Sequence, residues 1–289
     1  MDRETIKVRM VYDAAAKFRG FSLNDAISPG PNILKELFDV LMRFKLNRIA
    51  VMCDISEMYL QIELYGAEDK PMHSFLWRDL DVSIEPTVYE HQRVVFGINA
   101  SPFIALTVAK QNARMNQVKF PLAADTVLNS TYMDDSLDSV KDERTGVELY
   151  KQLVKLWNQA RMVPRKWISN SKRVLECIPI EQRAKSVDMA LNKLPTTKTK
   201  GLNWNTEVDK FHFEVPEKLT VESLTKRNVL SKLSSVFYPI GFVSLVIILA
   251  KVLMQRIWET GMTWDEPIEG ELGLKIPRMD FKLTVSEPD

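Results

Sequence analysis

The strongest chemical signal in the chain is Tyr132-Met133-Asp134-Asp135, two adjacent carboxylates behind an aromatic and a large apolar residue. Such a pair is costly to bury unless it turns toward solvent or a cation. Side chains alternate across a strand, so only one of the pair points straight at a given ion, and a carboxylate from another strand must complete the site. Asp54 is that third acid, 80 residues earlier, at the end of the apolar run Ile49-Ala50-Val51-Met52-Cys53. Asp54 and Asp134, assisted by Asp135, can bridge two hard divalent cations about 3.5–4 Å apart while phosphate and water oxygens fill the remaining positions. One ion would acidify an attacking 3′-hydroxyl and the other would neutralise the departing pyrophosphate, which is phosphoryl transfer of the polymerase kind. Taken singly, an Asp-Asp pair is common in surface turns and an Asp at a strand end is unremarkable. The argument rests on finding both contexts in one chain.

The elements that must position these acids are legible from periodicity. Lys7 to Tyr12 alternates weakly and reads as a short strand, followed by a loop through Gly20 and Pro29-Gly30-Pro31. Leu34, Leu37, Phe38, Leu41 and Met42 recur at three and four residues, which predicts a helix from Asn32 to Lys45. Strands are expected at 49–53, 60–64, 74–77 and 88–96. Ser101 then reads as an N-cap with Pro102 at the first helical position, opening a helix through Arg114. A further strand is expected within 124–133, ending on the acid pair, and a helix over 147–160 carries Leu149, Leu153, Leu156 and Trp157 on one side. This order predicts an α+β fold with helices packed on one face of a mostly antiparallel sheet. Composition shifts near residue 185. Beyond it the pattern predicts a hairpin over 201–215 and helices over 221–237 and 240–259, and so a division into 1–185 and 186–289.

The 289 residues are 45% apolar and 27% charged, an ordinary globular composition. With 39 basic and 38 acidic residues the net charge is +1, which carries no global signature of nucleic-acid binding. The distribution is uneven: residues 141–200 hold 14 basic and 6 acidic residues, net +8, and residues 261–289 hold 3 and 7, net −4. A positive middle is therefore available to a polyanion. Cys53 and Cys177 are too few for a disulfide scaffold or a thiolate zinc site, and they point to an intracellular setting. The N-terminus has no apolar core of a secretion signal. The apolar stretch from Ile240 to Leu253 contains Lys251 and falls short of the roughly 18–20 residues of a membrane span, so it reads as a buried helix. No membrane partner is expected.

The segments VMCDISEMYLQIEL (51–64), RVVFGINASPF (93–103) and TYMDDSLDS (131–139) resemble the reverse transcriptase region of long-terminal-repeat retroelements. The blocks at 8–32, 74–79, 165–171, 201–205 and 225–265 are similar to the BEL/Pao group, so the resemblance covers most of the chain. It implies a right-hand polymerase palm with an antiparallel sheet and packed helices, partial fingers within 1–185, and a smaller thumb or connection-like region over 186–289. It implies Asp54, Asp134 and Asp135 as the acids that hold Mg2+, or alternatively Mn2+, for RNA-directed DNA synthesis. The same resemblance puts Tyr59 under the incoming sugar, where a rigid ring disfavours a ribose 2′-hydroxyl. Arg9, with Lys7 as auxiliary, would contact the triphosphate, and Phe96 and Gly97 would form the template- and nucleotide-facing turn. Lys166 and Trp167 would lie on the primer side, although a core role for Trp167 is equally open. The implied partners are an RNA or DNA primer-template, deoxynucleoside triphosphates and other parts of a retroelement polyprotein, in the cytoplasm or in element particles.

Several positions depart from the family pattern. Ser56-Glu57 stands where an acidic residue and lysine are common, so Glu57 reverses a charge near the acids, and Lys200 stands where leucine is frequent. Phe96 replaces the glutamine of retroviral enzymes but agrees with the apolar residue of the BEL/Pao group. His73, His91 and His212 are dispersed and form no metal signature. The chain reads as a fragment with incomplete fingers, and no spaced ribonuclease H acids follow residue 265. The alternative to a polymerase is an inactive retroelement remnant that retains the fold and nucleic-acid binding. An unrelated two-metal hydrolase would need a water-positioning base that the histidine pattern does not supply.

Overall fold

The computed structural model describes residues 10–66, 68, 70–185, 196–199, 202–212, 224–235, 241 and 244–275. The chain divides into two compact units, Met1–Lys185 and Ser186–Asp289. Lys7, Arg9 and Lys200 lie outside the described residues, as does the end of the hairpin expected over 201–215.

The first unit begins with α1 (Leu23–Ala26) and α2 (Leu37–Phe44), shorter than the helix read over 32–45. β1 (Ile49–Ser56) follows, then the ribbon of β2 (Ser74–Trp77) and β3 (Thr87–Glu90). Next come α3 (Ser101–Asn116), α4 (Pro121–Asn129), β4 (Thr131–Tyr132) and β5 (Asp135–Val140). α5 (Glu143–Gln159), β6 (Val163–Ser169) and α6 (Lys172–Glu176) complete it. The main sheet has the order β4-β5-β1-β6 and every pairing is antiparallel. Ile49, Val51, Cys53 and Ile55 of β1 are buried, and Leu149, Leu153, Leu156 and Trp157 of α5 are buried with them. The expected side of that helix is therefore its core side, and α5 packs on β1, β5 and β6.

Five local readings are corrected. Residues 121–129 form a helix, because Pro121 opens it and Leu122-Ala123-Ala124 are strong helix formers, leaving only Thr131–Tyr132 as strand before the acids. Residues 58–61 form a 3-10 turn instead of the start of a strand, and the strand expected over 88–96 stops at Glu90. Ala100 is the N-cap of α3, while Ser101 lies inside the helix and its hydroxyl donates to the Val95 carbonyl at 2.7 Å. The apolar helix near residue 250 is buried on one side only.

In the second unit, β7 (Thr196–Thr199), β8 (Leu202–Asn205) and β9 (Lys210–His212) form an antiparallel sheet. Trp204 is fully buried and its indole N–H donates to Asp209 at 2.8 Å across the polar turn. From residue 224 onward the described helices are α7 (Lys226–Ser235), α8 (Ser244–Glu259) and α9 (Gly270–Lys275). Leu253, Met254 and Ile257 of α8 join Leu224, Val229 and Ile268 in a core, while Leu245 and Leu249 of the same helix face solvent. No described helix is long and apolar enough to cross a membrane.

Candidate functional site

β1 and β5 run antiparallel with Asp54 opposite Asp135, and directly opposed residues share a face of the sheet. Both carboxylates therefore occupy one face at one end of the β1–β5 ladder. Asp134 sits in the two-residue turn that joins Tyr132 to Asp135, and its carbonyl accepts from the Ile55 amide at 2.7 Å. That bond ties the turn to β1. The first turn residue, Met133, has φ 56°, a conformation that a bulky side chain adopts only where its surroundings enforce it. The sheet thus sets Asp54 and Asp135 on one face, with the Asp134 backbone in the adjoining turn.

A bulge in β6 decides what stands beside them. The register moves from Met52 opposite Ile168 to Asp54 opposite Arg165, so β6 holds one residue in excess at Lys166–Trp167, and Lys166 takes φ 53°. Lys166 reaches the acids, where its Nζ lies 2.8 Å from Asp54 Oδ2. Trp167 turns the other way, is fully buried, and meets the Tyr150 ring edge-on at 4.9 Å between centroids. Its indole is core, which is one of the two roles the sequence leaves open and removes the ring from any surface contact. Sequence reasoning pairs Lys166 with Trp167 but does not find the Lys166–Asp54 ion pair, because a one-residue excess becomes visible only when two strands are laid side by side.

Tyr59 and Phe96 stand together next to the acids, their rings 4.7 Å apart and tilted by 37°. Burial raises the Tyr59 pKa, and the nearby Asp134 charge raises it further. Gly97 has φ 99°, and a Cβ placed there would lie 1.8 Å from the Tyr12 carbonyl oxygen, so glycine is required by a backbone crossing. The same crossing is held by the Tyr12 amide, which donates to the Phe96 carbonyl at 2.8 Å. Glu57 is exposed with φ 52°, just before the 3-10 turn that carries Tyr59. Beneath the acids, Cys53 is fully buried; burial, then Asp135 and Asp54, push its thiol well above the ordinary range. Cys53 and Cys177 are both free thiols.

Mg2+ or Mn2+ would need oxygen ligands converging on one point. Asp54 and Asp135 supply such oxygens from one face, but one oxygen of Asp54 is committed to Lys166. Among the described residues no group of three or more His, Cys, Asp or Glu side chains is arranged to hold a metal ion. As arranged, the acids do not fit a divalent centre.

The fold is a mixed α+β architecture with antiparallel sheets, similar to that of a reverse transcriptase. The similarity is to the structure of a foamy viral protease-reverse transcriptase in complex with double-stranded DNA, with a TM-score of 0.52 and 12% identity. It covers 96% of this chain and 41% of that one, so the chain spans about two fifths of the length of the protein it matches. Residues 225–287 match the family described as the Pao retrotransposon-like RNaseH-like domain. That description falls where the sequence reading expects a thumb or connection-like region, on the segment whose described residues form α7, α8 and α9. No curated protein matches the chain.

Proposed function

We propose that this chain is a reverse-transcriptase-like domain of a BEL/Pao-type retroelement that keeps the fold and nucleic-acid binding without a catalytically poised metal centre. The observation that carries this reading is the Lys166–Asp54 ion pair, which commits one of the three acids to a cation of the chain itself. The proposed partner is an RNA or DNA primer-template, supported by the likeness to a fold solved with double-stranded DNA. In this reading residues 1–185 are palm with partial fingers, and 186–289 a thumb or connection-like region.

A second reading, Mg2+-dependent RNA-directed DNA synthesis, is favoured by one observation: Asp54 and Asp135 share a face directly across the ladder. It requires Lys166 to leave Asp54, after which Asp54, Asp134 and Asp135 would be the metal-holding acids. Tyr59, Phe96 and Gly97 would then shape the nucleotide side, and Arg9 and Lys7 would meet the triphosphate.

One experiment separates the readings: primer-template binding by anisotropy, and primer extension on an RNA template with Mg2+ or Mn2+, for the wild type, Asp54→Ala and Asp134→Ala. The expected result is binding by all three proteins and extension by none. Extension by the wild type that both variants lose would install the second reading. A folded wild type that does not bind primer-template would overturn both.

A further inference from the structure

At the other end of the β1–β5 ladder Ile49 pairs with Val140, five residue steps or roughly 17 Å from the acids. Arg48 precedes the first of these residues and Lys141 follows the second, so the antiparallel pairing sets two cations side by side. Arg144 and Lys151 project from α5, seven residues apart and hence on one helical face. Arg173 comes from α6, which approaches α5 closely because Gly146 has no side chain: a Cβ there would lie 2.9 Å from Val174 Cγ2. Two surface grooves, of about 430 and 390 Å3, run through this cluster, and Arg144 and Arg173 line both.

The cluster sets five cations, Arg48, Lys141, Arg144, Lys151 and Arg173, against three acids, Asp142, Glu143 and Glu148. Its acids are held locally: Asp142 accepts from the Thr145 amide, Glu143 from the Ser171 hydroxyl, and Glu148 from Gln152. Arg48, Lys141, Lys151 and Arg173 are exposed and make no side-chain hydrogen bond or ion pair with other described residues. The grooves contain no exposed large apolar side chain of the kind that anchors a protein partner, and no aromatic ring on which a base could stack. Unpaired guanidinium and ammonium groups around grooves that hold no large exposed apolar anchor match the phosphodiester chain, which is bound through charge without base reading.

We infer that this end of the sheet is a second nucleic-acid contact, in which Arg48, Lys141, Arg144, Lys151 and Arg173 hold a phosphate backbone away from the acids. It accounts for part of the basic excess of residues 141–200, and it extends the proposed nucleic-acid binding to a surface that binding at the acids does not require.

The test is anisotropy of a labelled single-stranded RNA from about 50 to 200 mM salt, with the full chain as wild type, Arg144→Ala/Arg173→Ala and Arg144→Lys/Arg173→Lys. The alanine pair should weaken low-salt binding about tenfold and lower the slope of log affinity against log salt by about 1.4, since each single-strand phosphate contact contributes about 0.7. The lysine pair keeps the charges and should stay close to wild type, which separates lost contact from lost fold. Equal affinity and slope in the wild type and the alanine pair would overturn the groove and leave the proposed function standing. Absence of wild-type binding would overturn both. Displacement of the RNA by inorganic phosphate at matched ionic strength would reassign the groove to small anions, and equal displacement by an acidic peptide of the same charge would reassign it to a protein; either outcome overturns the inference.

Discussion

Two carboxylates of the same short strand have opposite surroundings. Asp135 starts β5 at the open end of the sheet, half-exposed and across from Asp54. Asp138, three residues on, faces the other side and is 7% exposed. It accepts from the Thr126 hydroxyl of α4 at 2.6 Å and from the Ser139 amide at 2.9 Å. Burial nonetheless raises its pKa, and the hydrogen bonds from Thr126 and Ser139, with Arg43 and Ser130, only oppose that rise. Identical side chains about 10 Å apart along one strand thus serve different ends: at the open end the acids are partly exposed, and in the interior an acid is tolerated because neighbours satisfy it.

If that contrast is right, the interior acid should cost most when its support is removed. Thr126→Val deletes the 2.6 Å donor and leaves a buried carboxylate under-satisfied, so stability should fall by about 1–3 kcal/mol in urea unfolding. A change below about 0.5 kcal/mol would erase the distinction between the two ends.

The pH profile sharpens it. The folded-state pKa of Asp138 lies above its ordinary 3.8, so its contribution is whole below that value and is lost as pH rises through the raised pKa. The stability of the wild type relative to Asp138→Asn should therefore fall over that interval, by at most about 1.4 kcal/mol per pH unit, and then level off. A difference that rises with pH would mean that the charged form is the favoured one. Urea unfolding of both proteins across the acid range reads the sign directly.

The smallest effect belongs to the open end. In the Lys166–Asp54 pair the lysine side chain is 66% exposed and the aspartate 26%, so Lys166→Ala should change stability by no more than about 1 kcal/mol. A loss above about 2 kcal/mol would show the acids at this end to be structural like Asp138. Denaturant midpoints at constant slope measure it.

The legible and illegible parts of this molecule divide along the range of the interactions that make them. The acids that follow the runs Ile49–Cys53 and Thr131–Met133 are legible, because a run and the charge that follows it are neighbours in the chain, although β1 continues past Asp54 to Ser56 and Asp135 opens β5. The α5 core side could be read for the same reason, from the spacing of Leu149, Leu153 and Leu156. The helix at 121–129 is hard to read from sequence because its Val127 and Leu128 run directly into the short strand at 131–132. Asp138 is not legible inside TYMDDSLDS, since nothing nearby in sequence announces that Thr126 donates to it. The Lys166–Asp54 pair joins residues 112 positions apart, at the bulge between the two strands.

That bulge makes β6 sensitive to count as well as to kind. Along a regular strand adjacent side chains already fall on opposite faces; here the surplus residue puts Arg165 opposite Asp54 while Lys166 reaches the same acid from the bulge. Removing the bulge while Met52 stays opposite Ile168 would bring Lys166 directly opposite Asp54 and move Arg165 off that rung. The spacing of RKWISNS is thus itself a structural instruction, and homologous strands are best aligned on the phase at Asp54 before their residues are compared.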